Sequence, residues 1–394
     1  MVSVFAALFI ALWMLVLLIP QREFERRGIE RSPISLIIRS EKGLDTIERA
    51  AQKRKGLLRR IGGFAVYISA PLIVVGSIAL LLGAFHILTT PGAEPGMGPV
   101  LPKGITNRPG VVSVPWGYFL LSIAVILVAH EFMHGLVARA EGIPLKSLGI
   151  ISVTLIPLGA FVEPDDEELE RKGADSKLRV YAAGSMGNFI AALGAGLILL
   201  AILFLIVPLT FEPAGLYIYN VTADSPAYRA GLRADMALLG IGGRKITTVE
   251  DFTAAVPALR PGVPVVVNTD KGDFLVTPEA LEGHEKGFIG ISVLPRLKAR
   301  PYVSRLFDEE RVFTVFEVII NALRWIAGLN LAIGLTNILP IYPLDGGRMF
   351  ALYMEERTPR AGEIITFFNL FLLLLVIINL GPHFGLFSGA LAGS

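Results

Sequence analysis

The chain contains no cysteine. That excludes disulfides and thiolate metal sites, so any strong metal site has to be built from His, Asp and Glu. Histidine is itself scarce, five in 394 residues, and two of them close together therefore carry weight. Charge is thin as well: 18% of residues are Asp, Glu, Lys or Arg, against about 25% in soluble domains. The net charge of +2 gives no basis for nucleic-acid binding. In their place the sequence is 53% hydrophobic, with a mean hydropathy of +0.62. This is the composition of a membrane protein.

Apolar stretches near or above the ~18–20 residues needed to span a bilayer occur at about 2–19, 62–88, 116–138, 180–208, 313–339 and 364–381. The first lacks a basic leader and an A-x-A cleavage site, so it reads as a retained anchor. Six spans is the expectation. Lys and Arg in the connections set the orientation. Residues 21–60 hold twelve and 139–179 hold six, whereas 89–115 hold two and 382–394 none. Both chain ends and residues 209–311 are then expected outside, with 21–60 and 139–179 inside. The basic 21–60 segment reads as a positive-inside anchor, or as an amphipathic helix on the inner leaflet.

Between about 212 and 298 the composition becomes that of a soluble α+β domain. "GLYIYNV" and "VPVVVNT" read as strands, "SPAYRAGL" and "VEDFTAAV" as helices, and "GIGGRKI" as a turn between strands. "SPAYRAGLRADMALLGIGGRKI" (225–246) resembles a PDZ domain, a module that captures extended peptides by strand addition. "EPAGLYI" (212–218) is the candidate carboxylate-binding loop. A spacer without ligand is the alternative.

In "LVAHEFMHGL" (127–136), His130 follows fourteen uncharged residues, "WGYFLLSIAVILVA" (116–129). An ionisable group at the centre of a bilayer helix costs about 2.5–3.5 kcal/mol on insertion scales, so it usually has a function. His130 and His134 stand at i, i+4 on one helix face and can share a metal, with Glu131 at a neighbouring position able to reach a water on it. H-E-x-x-H is the zinc-hydrolase pattern. The alternative is a histidine pair bonding to neighbouring helices. From Trp116, His130 lies about 21 Å along a helix rising 1.5 Å per residue. In a core ~30 Å thick, that is within the membrane towards the inner side. A third ligand is needed, and His86, His284 and His383 fall at the wrong level. Asp345 in "NILPIYPLDGGRMF" (337–350) remains. Pro340 and Pro343 break the span, and Gly346–Gly347 lets a helix restart with the carboxylate near its N-terminus. Taken alone, "LDGG" reads equally as ligand or as polar turn.

"HEFMH", a later "NILPIYPLDGG" and a PDZ-like insert between them together resemble the site-2 proteases, the intramembrane zinc metalloproteases. The resemblance covers about 116–350. "GAFVEPD" (159–165) lies where that family has a membrane-re-entrant β-hairpin, and "AAGSMGN" (182–188) matches its small-residue span, with Ser185 where proline is more usual. Glu163 reads as a solvated loop-end residue.

The resemblance implies a polytopic α-helical membrane protein of about six transmembrane helices, with an inserted PDZ-like domain and a membrane-re-entrant β-hairpin. Its parts would be N-terminal helices (1–115), a zinc-motif core (116–208), the PDZ-like domain (212–298) and C-terminal core helices (312–394). It implies Zn²⁺ on His130, His134 and Asp345, with Glu131 as general base and later proton donor. Asn337 would hydrogen-bond the substrate backbone or help stabilise an oxyanion. Gly159, Phe161 and Asn188 would contact substrate, Asn188 having also a plain interhelical role. The expected partners are a transmembrane protein substrate, the lipid bilayer, and a peptide or substrate tail at the PDZ-like domain. The expected location is the cell membrane. That domain would lie outside, where it would exclude large ectodomains or bind the tail left by an earlier cut. A non-catalytic PDZ scaffold and a metal transporter are the competing readings.

Overall fold

The computed structural model of the protein describes residues 11–90, 92, 93, 96–106, 110–154, 156–281, 284–384 and 386. Contacts divide the chain into two compact units, residues 1–199 with 321–394, and residues 200–320. Among the described residues five helices are long and apolar enough to cross a membrane: Lys55–Thr89, Trp116–Ala140, Ala174–Thr210, Glu309–Asn337 and Ala361–Phe384. They coincide with five of the six expected spans. The sixth, 2–19, lies largely outside the described residues, and its 11–18 portion is helical.

In the first unit the helices are α1 (Leu44–Lys53), α2 (Lys55–Thr89), α3 (Trp116–Ala140) and α4 (Ala174–Ala201). In the other unit α5 spans Val249–Ala255. The C-terminal helices are α6 (Glu309–Asn337), α7 (Asp345–Glu355) and α8 (Ala361–Leu380). Pro115 precedes the first residue of α3 in extended conformation, where its missing N–H costs nothing. The helix stops at Gly142, whose φ is +79°. The next amide, Ile143, donates back to the Ala138 carbonyl at 2.9 Å, a glycine-closed helix end. α4 lies close to α3 through glycine: a Cβ at Gly187 would come within 2.2 Å of the Ala129 carbonyl oxygen.

The basic N-terminal segment differs from its expectation. Residues 29–40 form two strands, β1 (Ile29–Arg31) and β2 (Ser35–Ser40), while only α1 is the amphipathic helix. The short parallel pair β3 (Val100–Pro102) and β4 (Val112–Val114) follows α2. β5 (Leu145–Val153) and β6 (Ile156–Pro164) form the expected hairpin, and the four strands make a sheet in the order β1-β2-β5-β6. β6 is therefore an edge strand. Glu163 is not a solvated loop end: it accepts hydrogen bonds from Ser147 Oγ at 2.5 Å and Arg39 Nε at 3.3 Å.

Glu141, just past α3, binds three helices together. Its side chain is fully buried and accepts from Arg59 Nε (3.1 Å) and Nη2 (2.9 Å) on α2. From α4 it accepts from Ser176 Oγ (2.9 Å) and Arg179 Nη1 (3.1 Å). Burial pushes its carboxyl up, but the bonds from Arg59, Ser176 and Arg179 outweigh burial and hold its pKa at about 2. A lowered folded pKa means stability that is present above the ordinary carboxylate value and lost as pH falls towards 2, up to about 3 kcal/mol. Glu141→Gln is expected to remove about 2–3 kcal/mol at pH 7, since both arginines are partly exposed and can rehydrate. Thermal unfolding in detergent should show the loss at pH 7 and a much smaller difference near pH 2.

The other unit carries β7 (Phe211–Val221), β8 (Ala237–Ile241), β9 (Arg244–Lys245), β10 (Val265–Thr269), β11 (Gly272–Val276), β12 (Glu279–Leu281), β13 (His284–Phe288) and β14 (Ile291–Ala299). Its main sheet runs β11-β10-β8-β7-β14 around a core of Leu216, Ile218, Leu232, Leu238 and Val267. Gly242 and Gly243, at φ +57° and +77°, make the tight β8–β9 turn read from "GIGG". Thr248 and Asp251 form a capping box at the start of α5. "EPAGLYI" is not a free loop: it lies inside β7, which pairs with β14 on one side and β8 on the other.

Candidate metal centre

His130, Glu131 and His134 lie on α3. α6 ends at Asn337, residues 338–344 are not helical, and α7 begins with Asp345. The two glycines after Asp345 make that restart feasible. A Cβ at Gly346 would sit 1.8 Å from the Ile338 carbonyl oxygen, and one at Gly347 2.5 Å from the Ile341 carbonyl carbon. Only glycine lets α7 begin against this turn.

The turn carries Asp345 to the two histidines. The two Nε2 atoms stand 3.2 Å apart, and Asp345 Oδ2 lies 3.4 Å from His130 Nε2 and 3.3 Å from His134 Nε2. Among the described residues this is a group of three ligand atoms able to hold one ion. Ligands about 2.0–2.1 Å from a tetrahedral zinc stand about 3.3–3.4 Å from one another, close to the three observed edges of 3.2, 3.3 and 3.4 Å. Oδ2 of Asp345 is buried with no hydrogen-bond partner among the described residues. A buried acceptor facing two imidazole nitrogens fits a shared cation.

Both histidines are held from behind. His134 Nδ1 donates to the Val180 carbonyl of α4 at 2.7 Å, which leaves the Nε2 lone pair free for a metal. His130 Nδ1 lies 3.2 Å from the Asn188 amide. With a metal on Nε2, Nδ1 carries the hydrogen and the amide oxygen turns towards it. Asn188 is fully buried, its amide against the His130 ring. Gly184 of α4 faces the centre: a Cβ there would lie 2.3 Å from His134 Nε2 and 2.5 Å from His130 Nε2. The sequence carried no local signal for this glycine beyond its small-residue setting.

Glu131 Oε2 accepts the backbone N–H of Val162, on β6, at 3.1 Å. Val162 therefore turns its polar backbone away from β5, and in an antiparallel ladder alternate residues do the same. Val162 pairs with Leu148, Phe161 with Gly149, Ala160 with Ile150 and Gly159 with Ile151. Ala160 and Val162 thus face the open edge, whereas Gly159 and Phe161 bond back to β5. Gly159 and Phe161, the expected contact residues, are thus the ones whose backbone faces β5. The Phe161 ring also covers Gly149 and lies under the Arg39 guanidinium, 5.6 Å from its centroid. Asn337 is the half-buried last residue of α6. His86 lies in the last turn of α2 beside Thr90, and His383 hydrogen-bonds the Met97 carbonyl. Neither joins the group of three.

The profile of peptidase family M50 matches residues 118–376. The protein MJ0971 of Methanocaldococcus jannaschii, which is uncharacterized, is 27% identical over 84% of this chain and 80% of its own length. Zinc metalloprotease RasP of Oceanobacillus iheyensis is 24% identical over 55% of this chain and 61% of that protein. Among solved structures, the PDZ domain of the SdrC-like protein from Listeria monocytogenes is 22% identical over 21% of this chain and 90% of that one. Its TM-score of 0.19 is too slight to carry weight.

Proposed function

The chain belongs to peptidase family M50, and from that premise we propose how it works as an intramembrane zinc metalloprotease: His130, His134 and Asp345 hold the zinc and Glu131 is the general base. The observation that carries this reading is the triangle of ligand atoms with edges of 3.2–3.4 Å, placed one residue from a glutamate. Its substrates are membrane proteins cut within or near their transmembrane helices.

Zinc, when bound, polarises the scissile carbonyl and lowers the pKa of a water towards about 7. Val162 holds one oxygen of Glu131 and leaves the other to accept a proton, which Glu131 then returns to the departing amine. Val180 and Asn188 orient the two imidazoles. Asn337, where α6 ends, would hydrogen-bond the substrate backbone or a developing oxyanion, a role supported by the family resemblance.

A peptide bond inside a helix is shielded by its own hydrogen bonds, so the substrate has to unwind. The open edge of β6, through Ala160 and Val162, offers replacement bonds to an extended segment. We read this hairpin as re-entering the membrane from the cytoplasmic side, consistent with the basic connections around it. Residues 212–298 read as a PDZ-like domain outside the cell membrane. There β14 is the edge strand that a substrate tail would extend, in place of the 212–218 segment.

A non-catalytic scaffold is not favoured by the family or by the converging ligand atoms. A metal transporter is not favoured either, since no inverted repeat of the histidine motif occurs in the sequence. Asp345→Ala is expected to lose both zinc and chelator-sensitive cleavage of a transmembrane substrate. Stoichiometric zinc in that variant, measured by atomic emission, would remove Asp345 from the ligand set.

A further inference from the structure

Hydroxyl groups within the spanning helices mostly bond back to their own helix, as such groups do. Ser77 Oγ meets the Ile73 carbonyl at 2.7 Å, Thr89 Oγ1 that of Phe85 at 2.8 Å, and Thr336 Oγ1 that of Ala332 at 2.8 Å. Ser122 on α3 does not. It is fully buried, and its Oγ has no partner among the described residues. Two buried amides share that condition. Asn330 on α6 donates from Nδ2 to the Ile326 carbonyl, but its Oδ1 has no partner. Asn188 on α4 spends one end of its amide on His130, and the other end has no partner among the described residues.

These three groups lie at successive levels of one helix junction. Ile126 of α3 and Leu329 of α6 pack in one buried cluster, which puts Asn330 one turn from the level of His130. One turn further along α6, a Cβ at Gly334 would lie 3.3 Å from Asn188 Cβ, and Asn188 touches His130. Ser122 stands one turn beyond Ile126, towards the Trp116 end of α3. Each step is one helical turn, about 5.4 Å, and two hydrogen bonds of about 2.8 Å through a water cover that distance.

We infer that a file of about two or three waters lies along the α3–α4–α6 junction, held by Ser122, Asn330 and Asn188 and ending behind His130. Polar groups buried without partners are costly, whereas those bridged by water are not. The file would keep water beside the centre when an extended substrate fills the β6 side. That use rests on the hydrolase reading; the existence of the file does not.

The test uses the full chain in detergent in the Glu131→Gln background, where no cleavage contributes. Pulsed X-ray hydroxyl-radical labelling should modify Ile126 and Leu329, both about as buried as the dry core, far faster than Val137. Ser122→Ala and Asn330→Leu should each lower the melting temperature by a few degrees, and Asn330→Ser, which keeps an oxygen and room for water, should lose less. In the otherwise wild-type enzyme, Asn330→Leu should also slow cleavage several-fold with zinc content unchanged. Labelling of Ile126 and Leu329 no faster than Val137 would overturn the file. So would a melting temperature unchanged or raised in Ser122→Ala, the result of deleting a group that had no partner at all. Labelling and melting as expected, with cleavage unchanged in Asn330→Leu, would leave the file standing and overturn its use.

Discussion

Glu131→Gln is expected to keep its zinc and to lose cleavage by about 10²–10⁴-fold, the usual contribution of a positioned general base. The three ligand atoms belong to other residues, so the metal stays. The amide oxygen can still accept the Val162 N–H that Glu131 Oε2 accepts at 3.1 Å, so the hairpin stays too. What the amide cannot do is take a proton. Zinc measured by atomic emission beside cleavage of a transmembrane substrate in vesicles separates these outcomes. Cleavage within a few-fold of wild type would remove Glu131 from its role.

Gly184→Ala is expected to empty the metal site. The added methyl would lie 2.3 Å from His134 Nε2 and 2.5 Å from both Nε2 and Cε1 of His130, inside the contact distance of any carbon. α4 cannot withdraw easily, because Gly187 already packs against the Ala129 carbonyl and Val180 holds His134 at 2.7 Å. The histidines must turn away instead, and affinity should fall by more than the ~10–100-fold typical of changes behind a ligand. Alanine favours a helix over glycine by about 1 kcal/mol. A glycine kept only for flexibility would therefore give a more stable variant with full zinc, and that pair of results would refute the close-approach argument. Circular dichroism on the same sample checks that the helices remain.

Much of the site was legible because its signals are local. His130, Glu131 and His134 sit within five residues, and "PIYPLDGG" announces a broken helix and a restart. Five spans follow from apolar runs, and "GIGG" and "TVED" encode a turn and a capped helix by residue type. The missed features are contacts between distant segments. β1 and β2 are short, carry basic residues, and become strands only because β5 supplies a partner edge. "ARAEG" looks like an ordinary helix end, yet Glu141 meets Arg59 across 82 residues. Register is the finest case: "GAFVE" identified the hairpin, but which residues face its edge depends on Glu131 taking the Val162 amide.

That single hydrogen bond couples two tasks. The amide of Val162 is one of the groups an incoming strand would claim, and Glu131 already holds it. Docking at the edge and freedom of the carboxylate are therefore linked equilibria, and whatever strengthens one must shift the other by an equal free energy. With the edge empty, one Glu131 oxygen is held by Val162 and the other is free; a strand that claimed the Val162 amide would free both. A segment too short or too rigid to reach Val162 would then bind with that oxygen of Glu131 still held.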